Sequence, residues 1–171
     1  EVSEADVEVL EYQLAHAEPL TAAETGCAIR VSPDSTPEDV ADALRETADR
    51  LADAARSAIL PYFRSPGLAA DNKQDGGFDP VTQADRAAER AMRTILAECR
   101  PNDGILGEEF GAVAGSTGLT WVLDPIDGTR AFLSGTPTWG VLIAVNDASG
   151  PVYGVIDQPF TGERWRGGLG L

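Results

Sequence analysis

The chain has 171 residues, 43% of them apolar, enough for one core plus an appendage, and a formal charge of −15. That charge excludes a nucleic-acid surface, which needs clustered Lys and Arg to meet phosphates. No run reaches the length of a membrane span and the start, EVSEADVEVLEYQ, lacks a signal-peptide layout, so a soluble cytoplasmic protein without a membrane partner is expected.

Residues 1–35 read as an unassigned extension. Val7, Leu10 and Leu14 have some helical spacing, but PLTAAETGCAIRVSPDSTP breaks into turn-forming residues. Cys27 and Cys99 fit no metal-binding spacing, and His16, the only histidine, stands in a polar segment. Chemistry in this chain therefore falls to carboxylates.

From residue 36 to 171 the pattern is that of one domain. Thr36 can cap a helix, Pro37 suits its first position, and Glu38 and Asp39 favour the positive end of its dipole. Val40, Leu44, Thr47, Leu51, Ala55, Ala58 and Tyr62 then mark one face, until Pro61 and SPG end the helix. After a loop, a second helix opens at Thr82 and runs to about Cys99, with Ala84, Ala88, Ala91, Ile95 and Cys99 as its inward stripe.

Beyond residue 104 short apolar runs alternate with turns: GILG, LTWVLD, WGVLIAV and PVYGVID, all of strand length. WGVLIAV has no polar alternation, which predicts burial on both faces. NDASGP predicts a hairpin joining the last two runs. The fold class expected is α+β, with two helices packed on a largely antiparallel sheet.

Acidic residues gather at the ends of these elements. Asp79 and Asp85 flank the start of the second helix, Glu108 and Glu109 follow GILG, and Asp124 and Asp127 follow WVL. Each has an ordinary explanation alone. Asp85 stands at capping-box spacing from Thr82, Asp79-Pro80 opens turns, Glu108-Glu109 suits a solvated loop, and Asp127-Gly128 suits a plain turn. Six such coincidences at element ends favour one site. Hard divalent cations take oxygen ligands, and magnesium combines one or two carboxylates with waters and substrate phosphate.

In DPIDGT, Pro125 stiffens the turn, Asp124 and Asp127 can face a metal pair, and the Ile126 carbonyl adds an oxygen. Gly128 and Thr129 would open a short helix whose amides can meet phosphate. Haloacid-dehalogenase phosphatases also end a buried strand on an aspartate motif, DxDGT, but there the two carboxylates are two apart. Here they are three apart.

The segments DPVTQAD (79–85), GILGEEFG (104–111) and WVLDPIDGTRAF (121–132) together resemble the inositol monophosphatase superfamily, across roughly residues 37–168. Arg-Ala-Phe after DPIDGT, with SGTPTWGVLIAV and GVIDQPFTGERW, is similar to its histidinol-phosphate phosphatases of histidine biosynthesis. The resemblance implies the amino-terminal half of a layered αβαβα sugar-phosphatase fold, truncated before a carboxy-terminal α/β domain that carries a further metal-binding aspartate. It implies Mg2+ as cofactor and hydrolysis of a small phosphate monoester by metal-activated water, with inositol 1-phosphate as the alternative substrate. A full-length member would be a homodimer, and the isolated chain is expected to turn over weakly or to act only as a metal- and phosphate-binding fragment.

Residue by residue, the resemblance makes Glu108 a metal ligand that positions water, with Asp124, the Ile126 carbonyl and Asp127 as further ligands. Asp127, Gly128, Thr129 and Arg130 would bind phosphate or substrate. Asp85 would bond the Thr129 hydroxyl and so keep the water activator aligned. Glu109 would stay outside the metal's immediate ligands.

Overall fold

The computed structural model describes residues 36–66, 70–72 and 80–169. The expected extension over 1–35, including Cys27 and His16, lies outside the described residues, as does Asp79.

Helix α1 (Pro37–Ile59) begins where the sequence places it. Thr36 and Asp39 form a reciprocal capping box, Pro37 occupies the first turn, and Leu60 caps the end just before Pro61. Tyr62 falls in the turn beyond the helix. Two short strands, β1 (Ala70–Asn72) and β2 (Pro80–Thr82), pair antiparallel and lead into helix α2 (Gln83–Cys99). Its inward stripe differs from the expected one. Met92 and Leu96 are buried beside Ala84, Ala88 and Cys99, whereas Ala91 and Ile95 sit half-buried on the flank. The stripe also contains two wholly buried carboxylates, Asp85 and Glu89.

The six-stranded sheet is built from β3 (Gly104–Gly107), β4 (Gly111–Val113), β5 (Thr120–Asp127), β6 (Gly140–Asp147), β7 (Gly150–Gln158) and β8 (Glu163–Gly168). Its order is β4-β3-β5-β6-β7-β8, with β3 and β5 parallel and every other pair antiparallel. The hairpin expected at NDASGP joins β6 to β7, whereas β4 and β8 escaped the sequence reading. A six-residue helix, α3 (Thr129–Ser134), follows β5.

Both long helices pack on one face of the sheet. Leu51, Ala55 and Ile59 of α1 and Met92 and Leu96 of α2 meet Trp121 and Leu123 of β5, with Val141, Ile143 and Val145 of β6. Phe132 of α3 is driven into the same core, where its ring meets Trp139 edge-on at 4.9 Å. That contact fixes the turn after β5.

WGVLIAV is not buried on both faces as expected. Val141, Ile143 and Val145 lie beneath the helices, whereas Leu142 and Ala144 point to the opposite side and are half-buried. On that side Val122, Leu142, Ala144, Ile156 and Trp165 border an open groove of about 710 Å³. An all-apolar strand therefore reflects two apolar environments, only one of which the described residues cover.

Candidate active site

The carboxyl end of β5 organises the site. Side chains alternate across a strand, so residues three apart, such as Asp124 and Asp127, should point to opposite faces. The ladder with β6 prevents this. Asp124 is opposite Leu142 and Asp127 is opposite Gly140, so two residues of β5 bulge over the single Val141 of β6. The bulge at Pro125-Ile126 absorbs one residue of the alternation and returns both aspartates to one cleft. The three-residue spacing in DPIDGT is thus the spacing that a bulged strand requires.

That cleft, about 320 Å³, is lined by Glu108, Asp124, Ile126, Asp127, Gly128, Thr129 and Arg130. Gly128 turns the chain into α3 with φ of 86°, and a Cβ there would press on the Thr138 carbonyl oxygen at 2.9 Å. The first intrahelical bonds of α3 are donated by the amides of Ala131 and Phe132 to the Gly128 carbonyl, at 2.8 and 3.1 Å. The amides of Gly128 and Thr129 precede them at the rim of the cleft. The Thr129 hydroxyl donates to the Ile126 carbonyl at 3.0 Å, which closes the turn.

Asp85 lies beneath the cleft rather than in its lining. It is 1% exposed, and its Oδ2 accepts from the Thr82 amide at 2.8 Å and from the Thr82 hydroxyl at 2.5 Å. The capping reading of Asp85 is therefore realised, and its charge also reaches Asp124.

Asp124 is strongly perturbed. Burial pushes its carboxyl up to about 7, aided by the charge of Glu108, a hydrogen bond with Glu108, and the charges of Asp127 and Asp85. Its Oδ1 is buried without a hydrogen-bond partner. A buried, unsatisfied carboxylate oxygen among other carboxylates is costly by itself, and a divalent cation would relieve both the repulsion and the missing bond. The donors present are all oxygen, which suits magnesium or calcium over softer metals. Among the described residues no three acidic, histidine or cysteine side chains already form a metal cage. The set is instead an open one, in which water and substrate would complete the coordination.

Sequence reasoning passed over Glu89. Its carboxylate accepts from the amides of Glu109, at 2.6 Å, and Phe110, at 3.2 Å, directly after Glu108. The available signal was its place one turn after Asp85 on the same buried face, where a glutamate is out of character.

The inositol monophosphatase family pattern matches residues 41–171. A histidinol-phosphatase of Streptomyces coelicolor is 44% identical over 131 residues, covering 74% of this chain and 48% of that protein. One from Mycobacterium tuberculosis is 44% identical over 115 residues, covering 67% and 44%. Among solved structures, an inositol monophosphatase from Zymomonas mobilis superposes with a TM-score of 0.62 at 48% identity, covering 80% of this chain and 50% of that one. The chain spans about half the length of the curated relatives it matches. With its sheet order, bulged β5 and acidic cleft accounted for, the chain belongs to the inositol monophosphatase family.

Proposed function

We propose that this chain supplies the metal- and phosphate-binding part of a magnesium-dependent phosphate monoester hydrolase acting on histidinol phosphate. The observation that carries the reading is the β5 bulge, which puts Asp124, with its unsatisfied buried oxygen, and Asp127 in one cleft with Glu108. Glu108, Asp124, the Ile126 carbonyl and Asp127 would hold the metal. Bound magnesium would supply positive charge that acidifies water and neutralises phosphate oxygens.

The protein's own groups do the rest. Glu108 orients the attacking water toward phosphorus. The amides of Gly128 and Thr129 receive phosphate oxygens, and Arg130 meets the remainder of the substrate. Asp85 steadies the floor of the cleft from the start of α2, acting through the turn that Thr129 closes. No histidine, cysteine or serine nucleophile is needed, and among the described residues none of these lines the cleft.

Histidinol phosphate is favoured by the two histidinol-phosphatases at 44% identity. Inositol 1-phosphate is the second reading, favoured by the Zymomonas inositol monophosphatase. The test is magnesium-dependent phosphate release from both esters, by the 171-residue chain and by the longest product its gene encodes. The expected result is faster release from histidinol phosphate, abolished by Asp127→Asn. Preference for inositol 1-phosphate would overturn the substrate assignment, and hydrolysis indifferent to both magnesium and Asp127→Asn would overturn the site.

A further inference from the structure

We infer that Glu89 is a positioning residue for the acidic cleft, its buried carboxylate holding the loop that presents Glu108. This rests on the reading of Glu108 as a metal-facing group.

Three consecutive amides are tied down around that residue. The Glu108 amide donates to the Leu123 carbonyl of β5 at 3.1 Å, one residue before Asp124. The next two, of Glu109 and Phe110, donate to Oε2 and Oε1 of Glu89. The backbone carrying Glu108 is thereby clamped between the strand that bears the aspartates and the helix that bears Asp85. Without the Glu89 half of the clamp, the link between β3 and β4 would hold Glu108 from one side only.

The carboxylate is itself held. Its side chain is fully buried, and Arg93, one turn further along α2, donates to Oε1 at 2.8 Å. The same guanidinium donates to the Gly111 carbonyl at 2.5 Å, reaching the far end of the loop. A buried carboxylate is tolerated only when its oxygens are matched by donors, and here two amides and an arginine match them. Gly107 completes the arrangement, since a Cβ there would collide with Oε1 of Glu89. The glycine before Glu108 is therefore explained by the glutamate it must admit. A residue that merely filled the core at this point would be apolar, like its neighbours Ala88 and Met92.

The test is Mn2+ binding, followed by electron paramagnetic resonance, for the wild-type chain and for Glu89→Gln, Gly107→Ala and Glu108→Gln. Glu89→Gln replaces an acceptor with an NH2 group facing other donors. Gly107→Ala dislodges the same carboxylate without altering it. Both are expected to weaken Mn2+ binding about 10- to 100-fold, the usual effect of losing a residue that orients a metal ligand, with far-UV circular dichroism retained. Unchanged affinity in both, with Glu108→Gln weakened, would overturn the role of Glu89 while leaving the metal site standing. Unchanged affinity in Glu108→Gln as well, or no binding by the wild type, would overturn the site and this inference with it.

Amide hydrogen exchange on the metal-free wild type supplies a second measurement, free of any folding defect in the variants. The amides of Glu109 and Phe110 are expected to exchange as slowly as those of β5. Exchange at the rate of an open loop would overturn the clamp.

Discussion

Helices α1 and α2 open with the same four-residue grammar and are put to different uses. Thr36 and Asp39 form a capping box, and so do Thr82 and Asp85, with matching bonds between side chain and backbone. At α1 the box is exposed and ends where it began, satisfying the first turn of the helix. At α2 it is buried, and the charge of Asp85 is felt by Asp124 across the floor of the cleft. Their buried ion pairs differ in the same way. α1 sends Arg56 to the buried Asp157 of β7, which also receives Arg164 of β8, and this ties helix to sheet. α2 carries its own buried carboxylate, Glu89, to a loop of the site. A cap signal thus reports where a helix starts, while its neighbours decide whether the capping residue has further work.

The largest effect that would sharpen this contrast is in the core of α1. Leu51 is fully buried, and Leu51→Ala should cost about 2–5 kcal/mol of stability, read by urea denaturation. The folded fraction should bind Mn2+ as before. Weakened affinity in that fraction would mean that α1 also shapes the cleft. Next comes Asp157→Asn, which should cost about 1–3 kcal/mol by weakening bonds to two arginines. The loss stays moderate because Arg164 retains Asp49 and Asp53. Metal affinity should again be untouched, and a change of more than about tenfold would break the division between the two helices.

Much of this was legible in the sequence because it is local. Capping residues and apolar spacing place both helices, and NDASGP places the β6–β7 hairpin. DPIDGT identifies the cleft. The remainder depends on partners distant in the chain. The bulge that aligns Asp124 with Asp127 is a relation between β5 and β6, and GILG pairs directly and parallel with β5 although β4 lies between them in the chain. β8, ERWRGG, has one apolar side chain, Trp165, and that residue is 51% exposed, so no buried stripe announced a strand. WGVLIAV misled for the opposite reason, since apolar character does not say which faces are covered. Glu89 showed only as a glutamate out of character on a buried face, because its partners are two amides some twenty residues away.

Smaller effects test the two capping boxes directly. Thr82→Ala should cost about 1–2 kcal/mol, the upper part of the range for a cap, because it strands buried donors. Thr36→Ala, at the exposed box, should cost less by thermal denaturation. Equal losses would mean that burial adds nothing to a cap.

The smallest expected effect is the acid response of the exposed box. Hydrogen bonds from the Thr36 amide and hydroxyl hold the Asp39 carboxyl below its ordinary value. The unfolded chain therefore takes up this proton at a higher pH than the folded one does. By linkage, the contribution is fully present above the ordinary carboxylate value, about pH 4, and is lost as the pH falls through the lowered value. Asp147, held down by the Ser149 hydroxyl and amide in the β6–β7 turn, responds in the same direction. Asp39→Asn should therefore flatten the low-pH limb of the stability curve slightly and leave its shape near neutrality unchanged. Denaturant midpoints of wild type and variant should converge as the pH drops below about 4. Curves that stay parallel down to the acid limit would show that the carboxylate charge at α1 contributes nothing. In that case the Thr36 side chain and Pro37 would be sufficient to start the helix.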